Sequence, residues 1–215
     1  MKNKLLIIGA SGHGKVVADI ALKMNKWQSI SFLDDDTSVI SPMGIEVIGT
    51  SNEAIKYIDA YDVCVAIGNN AIREKLQTQL ESRGASLPAL IHPTAVIGEQ
   101  VNVQYGTVVM AGVVINSCSR IGKGCIINTG STIDHDNDIG DFTHISPGAH
   151  LAGTVKVGQG SWLGIGCVVS NNVNITSDCK VGAGAVVVKD ITESGTYVGV
   201  PVRRIDYGKN TDISK

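Results

Sequence analysis

The sequence is poor in aromatic residues. Phe, Trp and Tyr together make up 4% of its 215 residues, and proline occurs only five times. Glycine occurs 25 times, and 43% of the residues are hydrophobic. Large aromatic side chains dominate the core of an ordinary packed domain. Their scarcity beside so much glycine favours a repetitive backbone with small inward side chains.

Strong charge, paired cysteines and long hydrophobic runs are also missing. A net charge of −2 gives no reason to expect nucleic acid or a membrane surface as a partner. No apolar run reaches membrane-spanning length, and the one near the N-terminus is too short for the core of a signal peptide. The five cysteines form no CxxC pair and show no disulfide-like spacing. We therefore expect a cytoplasmic protein with reduced cysteines.

A six-residue repeat occupies the second half of the chain. Every sixth residue from Ile97 to Val187 is aliphatic, and the residue two positions earlier is small or β-branched except at Asn137. Alternate residues share one face of a strand, so each repeat predicts a short strand with one small and one larger inward side chain. Strands so short and so regular must coil. Cys125, Cys167 and Cys179 occupy the small inward position, so we expect core residues and not nucleophiles.

The first ninety residues show a different pattern. Apolar segments 4–9, 29–33 and 63–67 read as strands, and segments 15–24, 51–58 and 71–83 read as helices. Strands that alternate with helices predict a small parallel α/β domain. We therefore divide the chain into a Rossmann-like domain at 1–90, a β-helix domain of about five coils at 91–191 and a C-terminal tail at 192–215.

Polar loops follow the predicted strands of the first domain. Gly9–Gly14, with the sequence Gly-Ala-Ser-Gly-His-Gly, connects a strand to a helix, where backbone N–H groups can bind an anion. Its glycine spacing differs from the dinucleotide fingerprint, so a simple tight turn is an equal alternative. Asp34 and Asp35 end the second strand, and Gly68 follows the third. Because parallel strands end at one edge of the sheet, the loops together favour a nucleotide-sized ligand.

His135 is the strongest candidate for catalysis. It stands between Asp134 and Asp136, at or near a corner of the coil. Neighbouring carboxylates raise the basicity of an imidazole and fix its tautomer, which suits a general base; a solvated acidic turn is the alternative. His144 and His150 point outward on neighbouring faces, so these histidines cannot share a metal within one chain. A metal site between subunits stays open, but the usual pair of histidines five residues apart is absent.

Several segments together resemble the NeuD/PglD family of sugar acyltransferases. They are GASGHGKVVADI, FLDDD, AIGNNAIREK, NTGSTIDHDNDIGDFTHISPGAHLAG and VGVPVRRI, and the resemblance extends over nearly the whole chain. It implies a left-handed parallel β-helix of hexapeptide repeats, usually a homotrimer with active sites between subunits. It also implies transfer of an acetyl group from acetyl-CoA. In one branch the acceptor is the 4-amino group of a nucleotide-linked 4-amino-4,6-dideoxy sugar of bacterial glycan biosynthesis, and UDP is the expected nucleotide. In another branch the acceptor is a hydroxyl of sialic acid.

The resemblance assigns roles to individual residues. His135 matches the general base and Asp136 the acid that supports it, although the family often has Glu there, so Asp134 or Asp138 could serve instead. The positions that match contacts to the nucleotide sugar are Ser11, Gly12, His13, Asp34, Asp35, Gly68 and Asn128. The positions that match the acetyl-CoA groove are His144, Gly153, Ile165 and Ala183. We expect direct transfer with no metal and with an oxyanion donor such as the Gly153 N–H; a non-enzymatic or metal-binding hexapeptide protein is the third alternative.

Overall fold

The structure is a computed structural model that describes residues 2–39 and 41–205. It confirms the predicted fold class, because an α/β domain precedes a parallel β-helix of about six coils. No helix of the described residues is long and apolar enough to cross a membrane.

The N-terminal domain is built on a three-stranded parallel sheet. Strands β1 (Lys4–Ile8), β2 (Ser29–Leu33) and β3 (Asp62–Val65) lie in the order β2-β1-β3. Side chains of β1 alternate between two cores, one shared with α1 (Gly12–Met24) and one with α2 (Asn70–Glu81). Such burial on both faces explains why the strands read as continuous apolar runs.

Two short helices complete the N-terminal domain. Both are 3₁₀ helices, at Pro42–Gly44 and Ser51–Lys56. The second replaces the longer helix predicted for 51–58, which is a correction. Thr50 and Glu53 form a reciprocal capping box at its start, and this local bonding suits a turn of only six residues.

The β-helix is a triangular prism, and each of its three faces is a sheet of mainly parallel strands. Face 1 contains Leu90–Ile91, Val108–Val109, Ile126–Ile127, His144–Ile145, Trp162–Leu163, Cys179–Val181, Gly195–Val198 and the antiparallel Arg203–Ile205. Face 2 contains Val96–Ile97, Val114–Ile115, Thr132–Ile133, His150–Leu151, Val168–Val169 and Val186–Val187. Face 3 contains Asn102–Val103, Arg120–Ile121, Asp138–Ile139, Lys156–Val157 and Asn174–Ile175.

The repeat extends further than the segment that revealed it. Leu90–Ile91 already pairs with Val108–Val109, and Gly195–Val198 pairs with Cys179–Val181. The expected five coils are therefore about six. The first coil was missed because the predicted series began at Ile97, although Ile91 continues it one step earlier. The last strand was missed because its pairing depends on a neighbouring coil and not on the hexad pattern. Residues 206–215 of the predicted tail lie outside the described residues.

The interior of the prism is filled as the repeat predicts. Cys125, Cys167 and Cys179 are 0% exposed, and burial raises the pKa of the Cys125 and Cys167 thiols to about 12. At such a pKa a thiol is not a thiolate near neutrality. The prediction that these cysteines belong to the core is confirmed.

The three corners of the prism differ in character. Most corners turn through a residue with positive φ. Between faces 1 and 2 this residue is glycine at 112, 130, 148, 166 and 184. Between faces 2 and 3 it is Gln100, Cys118, Asp136, Thr154 or Asn172. One corner therefore turns through a column of glycines, whereas another turns through residues that carry side chains.

Helix α2 joins the two domains through a polar stripe. Asn70, Arg73, Gln77 and Glu81 recur at helical spacing and face the corner between faces 3 and 1. Arg73 Nε donates to the Gly124 carbonyl at 2.7 Å, and its Nη2 donates to the Phe142 carbonyl at 2.9 Å. Asn70 Nδ2 donates to the carbonyls of residues 160 and 161. These bonds fix the α/β domain to the prism.

We predict that Arg73→Met lowers the free energy of unfolding by about 2–4 kcal/mol. Arg73 is 1% exposed, so its removal leaves buried carbonyls of the prism without donors. Chemical denaturation measures the change. Arg83→Met is the matched control, since Arg83 is exposed beyond the end of the same helix, and an equal loss in both variants would contradict the prediction.

Candidate active site

In the glycine loop after β1, two glycines are closely packed and one faces open space. A Cβ on Gly14 would lie 1.9 Å from the Gly9 carbonyl oxygen, and Gly9 itself has φ +102° against Ala66. Both glycines are therefore required by the turn and by the close approach of α1. A Cβ on Gly12 or on Gly68 would meet nothing within 4 Å. These two exposed glycines face open space at the carboxyl ends of β1 and β3, where the order of the strands reverses.

The aspartates after β2 are engaged by the protein itself. Asp34 accepts hydrogen bonds from the Ala10 N–H at 2.6 Å and the Asp36 N–H at 2.9 Å. Asp35 accepts from the N–H and the hydroxyl of Ser51, each at 2.8 Å. Asp34 thus holds the glycine loop in place. The contacts of both aspartates to a nucleotide sugar stay a prediction, and Ser11 is exposed at the start of α1 without a capping bond from its side chain.

Two neutral histidines meet near Arg73. Burial, followed by the Arg73 charge, lowers the pKa of His13 to about 4. Burial is also the largest cause that lowers the pKa of His144 to about 3, followed by Arg73 and His13. Both imidazoles are therefore neutral near pH 7. Within the described residues His13 Nε2 and His144 Nδ1 are buried without a hydrogen-bond partner.

The tautomer of His144 follows from its neighbour Asn128. The Asn128 Nδ2 lies 3.1 Å from His144 Nε2, while its Oδ1 accepts from the Thr129 N–H at 2.8 Å. Since an amide nitrogen only donates, Nε2 is the acceptor and the proton of His144 is on Nδ1. His144 Nδ1 is therefore a buried N–H donor. Asn128 lies in this cluster and not beside His135 of the same chain.

Trp162 covers His144 from the next coil. The two rings stack with centroids 5.5 Å apart and planes 3° apart, and Trp162 Nε1 donates to Ser146 Oγ at 2.7 Å. Trp162 is 45% exposed. Sequence analysis missed it, although its position eighteen residues after His144 places it directly above in the stack. Arg73 was missed too, because its importance comes from carbonyl groups more than fifty residues away.

An apolar groove begins at Trp162 and follows the corner between faces 1 and 2. It has a volume of about 280 Å³. Its lining residues include Ser146, Trp162, Ile165, Lys180, Ala183 and Thr196. Ile165 and Ala183, predicted to line the acetyl-CoA groove, therefore lie together, with His144 beneath Trp162. Gly153, the fourth residue of that prediction, lies on a different corner.

The imidazole of His135 is oriented by one aspartate. His135 Nδ1 lies 2.8 Å from Asp136 Oδ2, and this hydrogen bond raises the pKa of His135 above its ordinary value. Asp134 instead accepts from the His135 N–H and from Asn116 Nδ2. The proton shared with Asp136 leaves Nε2 available as an acceptor, as a general base requires. The side chains of His135 and Asp136 are each 57% exposed.

Gly153 lies directly against His135 in the next coil. A Cβ at this position would stand 2.5 Å from His135 Cε1 and 2.6 Å from Nε2. Any side chain there would displace the ring. The backbone of Gly153 is thus adjacent to the nitrogen that would act as the base.

One chain does not bring these groups together. His135 stands at the corner between faces 2 and 3, which is opposite face 1, where His144, Trp162 and the N-terminal domain lie. Among the described residues no group of three or more His, Cys, Asp and Glu side chains could hold a metal ion.

The chain has well-matched relatives of known structure. The acetyltransferase domain of PglB from Neisseria gonorrhoeae FA1090 is 40% identical, with 95% of this chain and 100% of that chain covered and a TM-score of 0.92. This chain belongs to the PglD-like family of sugar acetyltransferases. A family model described as the PglD N-terminal domain matches residues 4–80. PerB from Caulobacter crescentus, solved with CoA and GDP-perosamine, is 38% identical with a TM-score of 0.89 and covers 94% of this chain and 97% of that chain.

A curated member of this PglD-like family matches only in part. UDP-N-acetylbacillosamine N-acetyltransferase of Bacillus subtilis (strain 168) is 35% identical over 115 residues. The match spans 52% of this chain and 52% of that protein, so about half the length of this relative is covered.

We predict that Asp136→Asn lowers the pKa of His135 towards the ordinary value near 6.5. The substitution removes the acceptor whose hydrogen bond favours the imidazolium. NMR titration of the histidine rings measures it, and the rings of His13 and His144 should stay neutral down to about pH 5, given pKa values of about 4 and about 3. Asp138→Asn is the control; a shift of equal size there would show that general charge, and not the contact, sets the pKa.

Proposed function

We propose that this protein is an acetyl-CoA-dependent N-acetyltransferase that acts on the 4-amino group of a nucleotide-linked 4-amino-4,6-dideoxy sugar, with UDP as the preferred nucleotide. The observation that carries the proposal is the Asp136-oriented imidazole of His135 on a β-helix joined to a domain with open loops at its strand ends. The solved PglB domain in complex with acetyl coenzyme A and PerB with CoA and GDP-perosamine support the reaction class. The Bacillus subtilis relative supports UDP.

The chemistry proceeds by direct transfer. His135 Nε2 takes one proton from the sugar ammonium group, and the free amine attacks the thioester carbonyl. The C–N bond forms and the C–S bond breaks. The protonated His135 gives its proton to the leaving sulfur, so that CoA leaves as the thiol, and the nitrogen releases its second proton to solvent. The Gly153 N–H, which lies in the next coil beside the base, is the candidate to stabilise the oxyanion. No buried cysteine takes part, because Cys125 and Cys167 stay protonated inside the prism.

The N-terminal loops and the groove have complementary tasks in this proposal. Gly12 and Gly68 leave room for the nucleotide sugar at the ends of β1 and β3, beside neutral His13. The apolar groove at Trp162, Ile165 and Ala183 suits the pantetheine arm of acetyl-CoA. The exposed Lys180 at its rim suits a CoA phosphate. All five cysteines are free, which fits a reaction in the reducing cytoplasm.

We further propose a homotrimer built on face 2. The outward residues of face 3 are all polar: Asn102, Arg120, Asp138, Lys156 and Asn174. Those of face 2 are mainly apolar: Val96, Val114, Thr132, His150, Val168 and Val186. Leu90, Val108 and Ile126 of face 1 are already covered by the N-terminal domain. Face 2 is therefore the apolar face that a neighbouring copy would bury.

The trimer would also complete the active site. Face 2 is bounded on one side by the His135 corner and on the other by the corner that follows Asn128 and His144. Copies packed on this face would bring His135 of one chain towards the groove of the next. A single chain holds the two halves of the site apart.

We predict that His135→Ala lowers turnover at least about a hundredfold, the usual size of a general-base effect. A thiol-release assay with acetyl-CoA measures it. The matched control is Cys118→Ala, which removes an exposed side chain from the same corner one coil earlier and should change turnover by less than about twofold. Unchanged turnover in His135→Ala would remove His135 from the mechanism.

A panel of candidate acceptors in the same thiol-release assay identifies the substrate. We expect the highest kcat/KM with a UDP-linked 4-amino-4,6-dideoxy sugar among UDP-, GDP- and dTDP-linked amino sugars. A preference for GDP would correct the nucleotide but keep the reaction. Turnover of free sialic acid, with no turnover of any amino sugar, would replace the proposed N-acetylation by O-acetylation.

We predict that Val168→Asp converts the trimer to monomers and abolishes most activity. The valine is 40% exposed in one chain, and a carboxylate there would be buried without a partner in the interface. Light scattering should give three times the 22.5 kDa of one chain for the unmodified protein. Asn174→Asp, one strand further on face 3, should remain trimeric; a monomeric unmodified protein with full activity would overturn the assembly.

A further inference from the structure

Asn137 is the one residue that breaks the small-or-β-branched pattern of the inward position. It lies inside the prism, 1% exposed, immediately behind the corner that carries His135. The equivalent positions in the next two coils are Val155 and Val173, also buried. An apolar side chain therefore fits this column of the interior, so packing alone does not explain an amide.

The amide of Asn137 ties together the backbone around His135. Its Nδ2 donates to the Asp134 carbonyl at 2.8 Å and to the Ala152 carbonyl at 2.9 Å, with the His135 carbonyl at 3.3 Å. Ala152 directly precedes Gly153, which lies against the imidazole. The same side chain thus connects the corner of His135 to the backbone on which its ring rests.

This arrangement has a cost that an apolar residue would avoid. Asn137 Oδ1 is buried and has no hydrogen-bond partner among the described residues. A buried polar atom without a partner costs about 1–3 kcal/mol. Departures from the local rules of a fold concentrate at functional sites. The structural requirement for the corner is partly met without Asn137, since Ser119 Oγ also donates to the Asp134 carbonyl, at 2.7 Å.

We infer that Asn137 is a positioning residue that fixes the His135 corner against Gly153, so that the imidazole is held ready for proton transfer. The inference rests on the proposed function, in which His135 is the base. Asn137 acts from inside the prism through the backbone and touches neither substrate. Its loss should therefore affect the chemical step and not the binding of acetyl-CoA or sugar.

The test is Asn137→Val, which copies Val155 and Val173. We expect kcat to fall at least about tenfold, because small misplacements of a catalytic group are costly. KM for both substrates should stay within about twofold and Tm should not fall. In the ligand-free protein the NMR resonances of the His135 ring should shift or broaden, while those of His13 and His144 stay in place. Asn137→Ser, which copies Ser119, gives the same readouts with one donor retained should the valine variant not fold.

Thr107→Val is the matched control. Thr107 occupies the same inward position at another corner and donates to the Gly122 carbonyl at 2.7 Å, so its loss removes an equivalent bond far from His135. An unmoved His135 resonance or an unchanged kcat in Asn137→Val overturns the inference, as does an equal fall of kcat in Thr107→Val. If His135→Ala retains turnover, the proposed base is wrong, and the His135 resonance alone then decides whether Asn137 positions that ring.

Discussion

Each coil of the β-helix must bury the aliphatic residue and the small residue of each of its three hexads, because such short strands leave no other material for a core. This constraint determines the direction of every other side chain. It sends His144, Trp162 and Lys180 outward on one face in successive coils and places His135 on the corner opposite that face. An insertion of one residue in any strand would exchange inward and outward side chains. The chemistry of the surface is therefore tied to the register of the interior.

The second interaction of importance is the contact between α2 and one corner of the prism. Arg73 donates hydrogen bonds to main-chain carbonyls of both domains. Its buried charge also lowers the pKa values of His13 and His144, after burial itself. The residue that holds two domains together thus adds to the effect of burial in favouring the neutral form of two histidines. His135, exposed and paired with Asp136, has its pKa raised. The same residue type therefore serves two chemical purposes, which burial and neighbouring charge separate.

The site is divided between two regions of the prism. One region has an imidazole oriented by a carboxylate and resting on Gly153; the other has a neutral buried histidine, an aromatic cover and an apolar groove. Face 2 lies between them and is the least polar face left open by the N-terminal domain. Assembly and catalysis are consequently linked in our proposal, since burial of face 2 would stabilise the oligomer and complete the site together.

The sequence alone determined the coil, the inward cysteines and the corner position of His135, because a period of six residues fixes side-chain direction locally. It also located the loops at the ends of β1 and β3. Only the tertiary structure decided which aspartate contacts His135, that Asp34 holds the glycine loop, and that Asn128 bonds to His144. Contacts between coils recur eighteen residues apart, and those of Arg73 lie still further apart along the chain, so nothing in the local sequence marks them. The amide of Asn137 was visible as an exception to the repeat, but its hydrogen bond to the Ala152 carbonyl of the next coil appears only when successive coils are stacked.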